Sequence, residues 1–308
     1  MGFAVEIRNL EKRYGDLLVL KNLSLEIEKG SIFGIVGPDG SGKSTLLKTI
    51  CGLLNFEKGE IRILGKNLKE DFNLIKKRIG YLSQEFSLYE DLTVDENIEF
   101  FGKIYRIKDW KERREKILEF TNLTPFRKRL AEKLSGGMKK KLALACTLIH
   151  EPEIFILDEP TLGIDPVSRM EIWKIIFQLS EKGLTIILST SYIDEAERCN
   201  KIAIIYNGEI LYSGEPDFVK KMKRRVLNLT LKEPLKAFDF LKSKISEDIV
   251  ISGDRIKIIT ENLEETKRRV EKILGENHIK IHDIQINPLS LEDYLVSILS
   301  ERKGEGNN

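Results

Sequence analysis

Cysteine is scarce in this chain and unpaired by count. Cys51, Cys146 and Cys199 are the only three, without the spacing of a metal or redox centre or the even number of a disulfide scaffold, so reduced, buried thiols in an intracellular compartment are expected. Long apolar runs are missing as well. No stretch approaches the roughly 18 residues a spanning helix needs, and the opening MGFAVEIRNLEKRYG lacks a signal-peptide core, which predicts a chain that does not itself cross a membrane. An excess of one charge is absent too: 51 Lys and Arg against 49 Asp and Glu leave a net charge of +2, so electrostatics give no case for nucleic acid as a partner.

What is present fits a globular protein of two unequal domains. The 308 residues exceed what one core usually fills, and 41% hydrophobic with 32% charged residues exclude a disordered tail. Residues 5–27 alternate apolar and polar around Tyr14-Gly15-Asp16, as half-buried antiparallel strands do. Four continuous apolar runs, 32–36, 154–157, 185–188 and 202–205, predict strands buried on both faces of a largely parallel sheet. Between the first two lies a charged stretch of helical period, about 94–148, broken at Thr124-Pro125 and Gly136-Gly137. Past Gly214 and Pro216 the basic run 220–225 reads as a solvated joint. Beyond it the pattern predicts strand 226–231, helix 234–245, strands 249–252 and 255–260, helix 263–274 and strand 279–286, the βαββαβ order of a ferredoxin-like unit, with a last helix from about 291.

The strongest chemical signal is Gly37-Pro38-Asp39-Gly40-Ser41-Gly42-Lys43-Ser44-Thr45, a phosphate-loop pattern placed between an apolar strand and a helix. Its glycines let backbone N–H groups face inward, and the following helix offers its positive end to phosphate. Lys43 is expected to neutralise β and γ phosphates, and Ser44 to hold Mg²⁺. The run 154–159 ends in Asp158-Glu159 at the carboxyl edge of a sheet, where ligands bind. Asp158 suits the metal. Glu159 is the expected general base for an attacking water.

Leu134-Ser135-Gly136-Gly137-Met138 narrows the class, because it resembles the LSGGQ signature of ABC-transporter ATPases with Met138 in place of Gln. The resemblance covers residues 1 to about 216. It implies a P-loop, RecA-like α/β core with an antiparallel β-subdomain and an inserted helical subdomain (about 86–150), within an ATPase domain at 1–219. A small α+β, ferredoxin-like domain at 226–308 would then be regulatory or dimer-stabilising. It also implies ATP with Mg²⁺, the metal held by Ser44, Asp158 and Gln84, and a signature (Ser135, Gly136, Gly137) that caps the γ phosphate bound by an opposite subunit. Tyr14 resembles the aromatic that stacks on adenine, Gln84 the Q-loop glutamine, and Asp165 the D-loop residue that touches the partner. Read without the family, Tyr14 is a hairpin surface ring, Gln84 a strand-end polar residue, and Asp165 a helix cap before Pro166.

One landmark departs from the family pattern. In Ser189-Thr190-Ser191-Tyr192-Ile193-Asp194-Glu195-Ala196-Glu197, Ser191 stands where the family places a switch histidine. A serine hydroxyl is shorter and neutral, and losing such a contact costs about 3 kcal/mol, or roughly a hundredfold in rate. His150, His278 and His282 are not placed to replace it. The site on this chain's own loop is therefore expected to be slow, as in halves of tandem ABC ATPases that carry a similar run, and a heterodimer is favoured over a homodimer.

The stretch from Gln84 to Asn97 resembles the region of ABC-2-type exporter ATPases that receives a permease helix, with Phe86, Leu88 and Tyr89 either as anchors there or as a small core beneath the helical subdomain. Ser290-Leu291-Glu292-Asp293 resembles the C-terminal ending of drug and lipid exporter ATPases. The expected partners are thus a membrane permease and a second ATPase, without nucleic acid, and the expected place is the cytoplasm, peripheral on the inner face of the cell membrane. A subunit in which ATP mainly closes a dimer is the alternative. Soluble repair or translation ATPases need a coiled-coil insertion or tandem domains that the sequence lacks.

Overall fold

Residues 2–85 and 88–305 are described by a computed structural model, so Phe86 lies outside the described residues. The chain divides into two compact units, Met1–Glu215 and Pro216–Asn308.

The first unit opens with strands β1 (Phe3–Tyr14) and β2 (Leu17–Glu28), paired antiparallel across the predicted turn. Their inward residues Val5, Ile7, Leu10, Leu20, Leu23, Leu25 and Ile27 are buried in one core. Strand β3 (Ile32–Val36), fully buried, leads through the glycine loop into helix α1 (Lys43–Ile50). Next come β4 (Lys58–Ile63), β5 (Lys66–Asn67), the one-turn helix α2 (Phe72–Ile75) and β6 (Ile79–Leu82). The helical insertion contains α3 (Val94–Ile104), α4 (Trp110–Phe120), short 3₁₀ turns at Thr124–Phe126 and Ala131–Lys133, and α5 (Gly136–Leu148). The chain then returns through β7 (Ile154–Asp158), α6 (Pro166–Glu181), β8 (Thr185–Thr190), α7 (Ile193–Ala196), β9 (Lys201–Tyr206) and β10 (Glu209–Gly214).

These strands form two sheets, ordered β2-β1-β4-β5 and β10-β9-β3-β8-β7-β6. In the second, β9, β3, β8, β7 and β6 are mutually parallel and β10 closes the edge antiparallel. Five carboxyl ends therefore share one edge, and it carries the chemistry. Residues of β3, β7 and β8 are all buried, as their continuous apolar runs require.

Helix α3 begins with a capping box. Glu96 N–H donates to Thr93 Oγ1 (3.2 Å) while Thr93 N–H donates to Glu96 Oε2 (2.8 Å), and these Thr93 bonds hold the Glu96 carboxyl below its ordinary value. One turn on, buried Asn97 donates to the carbonyls of Tyr89 and Leu92 and accepts from Tyr89 N–H. That side chain fixes the segment that precedes the helix. Leu88 consequently packs on the small core of the helical subdomain, whereas Tyr89 stays exposed with its ring 4.4 Å from that of Phe100. The core reading of this stretch thus holds for Leu88. His150 is structural: its Nε2 bonds Ile79 O at 3.1 Å, its ring stacks on Tyr105, and burial lowers its pKa. The three cysteines are buried, and desolvation raises their thiol pKa values.

In the second unit β11 (Arg225–Leu231), α8 (Pro234–Lys242), β12 (Asp248–Ser252), β13 (Arg255–Thr260), α9 (Leu263–Glu276) and β14 (Ile281–Pro288) form an antiparallel sheet ordered β12-β13-β11-β14, the ferredoxin-like arrangement. The last strand starts two residues later than the apolar pattern suggests. Ile279 belongs to the end of α9, where its N–H donates to Leu274 O (2.9 Å) and that of His278, at φ 57°, donates to Gly275 O (3.1 Å). That is a Schellman cap, and it consumes the hydrophobic residue at 279. Similarly α8 stops at Lys242, three residues early.

Leu227, Leu229 and Leu231 face the helices α8 and α9. Val226 and Asn228, on the opposite face, are buried too, because α10 (Leu291–Glu305) covers it. Ser290-Leu291-Glu292-Asp293 is the clasp. Asp293 N–H donates to Ser290 Oγ (3.1 Å), Ser290 Oγ donates to Asp293 Oδ2 (2.5 Å), and Lys257 Nζ reaches Asp293 Oδ1 (2.7 Å). Asp293→Ala removes the Ser290 and Lys257 bonds of this clasp, leaving the bond of Ser297 Oγ to Asp248 Oδ2, and is expected to cost about 1–3 kcal/mol locally. The check is amide hydrogen exchange, which should quicken over 226–230 and 291–298 and stay unchanged in the first unit.

Candidate functional site

The loop 37–45 wraps a cleft of about 300 Å³ lined by Val19, Asp39, Gly40, Gly42, Lys43, Ser44, Thr45, Gln84, Glu159 and Leu162. Two glycines are sterically required. A Cβ on Gly37 would lie 2.2 Å from Ile205 O, and Gly42 caps α1 at φ 109°, a conformation that side chains rarely adopt. Behind the loop runs the β9–β10 turn. Gly208 N–H donates to Ser41 O (3.0 Å) and Gly208 O accepts from Lys21 N–H (2.9 Å), fastening the loop to β2. Pro38 contributes its carbonyl to the same arrangement, and Thr45 O accepts from Thr49 Oγ1 inside α1.

Lys43 is buried at the base of the cleft. Its ammonium donates to Gly37 O (2.8 Å) and Pro38 O (3.1 Å) and pairs with Glu159 Oε1 at 3.2 Å, while the exposed Asp39 carboxylate lies 3.7 Å away. Ser41 Oγ is buried without a hydrogen-bond partner among the described residues, so a polar acceptor or donor entering the loop has a waiting group.

Asp158, at the end of β7, is 1% exposed and accepts three hydroxyls: Ser44 Oγ (2.9 Å), Ser189 Oγ (2.7 Å) and Tyr81 OH (3.4 Å). Glu159 follows it at φ 48°, a strained backbone that persists only where neighbours hold it. Here the holding contact is its own N–H donating to Ser189 Oγ at 2.9 Å. Ser191 Oγ reaches Glu159 Oε2 only at 3.4 Å. The arrangement places one cation, two carboxylates and a set of hydroxyls around a backbone cradle, which suits a polyanion with an associated divalent metal.

The remaining expected residues are distributed around this centre. Gln84 is exposed and lines the cleft; its carbonyl accepts from Lys140 Nζ at 3.3 Å, and burial lowers the pKa of that lysine. Tyr14 does not line the cleft: it is 48% exposed at the end of β1, with Lys12 Nζ 5.3 Å from its ring centre, and Val19 lines the wall instead. Ser135 caps α5 by accepting from Met138 N–H (3.3 Å), and Gly137 lies against Ser168. Gly136 lines an adjoining cleft of about 500 Å³ with Lys140, Gly163 and two residues of the loop cleft, Gln84 and Leu162. No residue of Ser135-Gly136-Gly137 lines the loop cleft itself. Asp165 accepts from Ser168 N–H at 2.9 Å as the cap of α6, and hydrogen bonding from the Ser168 side chain and backbone lowers its carboxyl pKa.

Sequence reasoning assigned no role to Ser189, Tyr81, Thr161, Thr190 or Glu195. The one available signal was hydroxyl residues closing a buried strand at 189–190.

Comparison with known proteins agrees with this geometry. The family described as ABC transporter matches residues 20–162. The linearmycin resistance ATP-binding protein LnrL of Bacillus subtilis is 33% identical over 304 residues, covering 96% of this chain and 97% of that protein. The probable multidrug ABC transporter ATP-binding protein YbhF of Escherichia coli is 40% identical over 218 residues, 70% of this chain but only 38% of its own length. Among solved structures, the dimeric post-hydrolysis state of the ATP-binding cassette MJ0796 bound to ADP and Pi superimposes with a TM-score of 0.62 at 29% identity, covering 68% of this chain and 98% of that one. No helix among the described residues is long and apolar enough to cross a membrane. With the cradle, the signature and an end-to-end relative in agreement, this chain belongs to the ATP-binding proteins of ABC transporters.

Proposed function

We propose that the chain binds ATP in the 37–45 cradle and hydrolyses it to drive export through a separate membrane permease, working from the cytoplasmic face as one of two ATPase subunits. The observation that carries this reading is the buried Lys43–Glu159 pair at the base of the loop cleft, with Ser44 and Asp158 beside it. The two oxygens of Ser44 and Asp158 suit a hard divalent cation; Mg²⁺ would be held there with Gln84 and supplies charge neutralisation for the phosphates. Lys43 exchanges its carboxylate partner for a phosphate oxygen. Glu159, so released, accepts the proton of the attacking water.

That no residue of Ser135-Gly136-Gly137 lines the loop cleft supports the view that a complete site needs the signature of a second subunit. Gln84, Leu162 and the 88–97 segment would register the permease. The names of LnrL and YbhF point to a toxic organic compound as cargo.

A second reading, in which ATP mainly holds a dimer closed, is favoured by Ser191, whose hydroxyl makes one long contact to Glu159. Ser191→His decides between them. In single-turnover hydrolysis it should raise the rate by roughly a hundredfold, the value of one transition-state contact. A wild-type chain already fast in isolation would remove the case for a slow site and for a histidine-bearing partner. Co-purification from detergent-solubilised membranes tests the permease and the second ATPase directly.

A further inference from the structure

Glu195 is a fully buried carboxylate outside the cradle, and the mechanism above does not use it. Its Oε1 accepts from Thr161 Oγ1 and its Oε2 from Thr190 Oγ1 at 2.8 Å. Both threonines are themselves 1% exposed. Thr161 lies two residues after Glu159, in the turn closed by Leu162 N–H donating to Glu159 O. Thr190 ends β8 immediately before Ser191, and its hydroxyl also accepts Tyr192 N–H at 3.0 Å. One side chain thus ties together the two segments that present the base and the switch position. On its outer side it meets Arg169, with Nε at 3.9 Å and the guanidinium 4.2 Å above the Tyr192 ring.

A buried carboxylate is expensive to keep unless its acceptor sites are filled, and two buried threonine hydroxyls fill them here. Simple packing between α7 and the sheet would be served as well by an apolar residue. The polar choice yields directional bonds to two loops instead. We propose that Glu195 is a positioning residue for hydrolysis, holding the 159–161 turn and the 190–192 segment in one register so that Glu159 and residue 191 face the same point. This rests on the reading of Glu159 as the base.

The test uses the full chain with Mg-ATP, measuring affinity by calorimetry and turnover by single-turnover hydrolysis with protein in excess. Glu195→Ala should lower turnover by about 10–100-fold, the scale of a misplaced catalytic group, with affinity changed by less than about twofold. Glu195→Gln, which keeps one acceptor, should fall between. Should Glu195→Ala fold poorly, Thr161→Val removes one bond alone, and Thr161→Ser restores it. Equal turnover in Glu195→Ala and wild type overturns the inference. So does a loss of affinity that parallels the loss of rate, or a Thr161→Ser variant as slow as Thr161→Val. Failure of the underlying reading looks different: wild type would take up no Mg-ATP, or Glu159→Gln would hydrolyse at the full rate.

Discussion

Glu159→Gln should lower ATP turnover by roughly 10²–10⁴-fold, the range contributed by a placed general base. An amide has the carboxylate's shape but cannot take the proton from water. The backbone at 159 is held by its N–H bond to Ser189 Oγ, which the substitution leaves intact, so the loss of rate reports proton transfer rather than a displaced loop. Affinity should hold or rise, because Lys43 loses the carboxylate that competes with phosphate at 3.2 Å. Single-turnover hydrolysis and calorimetry on the same preparation separate the two quantities. Equal rates in wild type and variant would end the assignment of Glu159 as the base.

Lys43→Ala should act on the other quantity. A hydrogen bond to a charged group contributes about 1.5–3 kcal/mol, so removing this ammonium should weaken Mg-ATP binding by about 10–150-fold. The variant also leaves the carboxylate of Glu159, 6% exposed, without its cation, so the ligand-free chain should melt earlier. Arginine is no substitute: its planar fork cannot follow the compact path by which Lys43 reaches the Gly37 and Pro38 carbonyls. Unchanged affinity in Lys43→Ala would displace the triphosphate from this loop.

Much of this was legible in the sequence where chemistry and local pattern coincide. The runs at 32–36, 154–157, 185–188 and 202–205 announced β3, β7, β8 and β9 because both faces of each are covered. Strand β6 escaped notice: four residues, Ile79-Gly80-Tyr81-Leu82, with a glycine among them, carry too little apolar signal. Yet it brings Tyr81 to Asp158. The glycine loop, Asp158-Glu159 and the serine-glycine signature were readable since each is contiguous. The partners that hold them were not. Ser189 meets Asp158 across 31 residues and Glu195 meets Thr161 across 34, and no local period records which strands will lie side by side.

The turn at Asn207-Gly208 gives the cradle a property that its own residues cannot supply. A loop rich in glycine is floppy by itself, but this one is pinned from behind through Ser41, and the same turn is bonded to Lys21 in β2. Its shape is thus inherited from segments some 20 residues upstream and 165 downstream of it in the chain. Damage to the β9–β10 hairpin should therefore surface as a slackened nucleotide seat, although no residue of that hairpin belongs to any nucleotide motif.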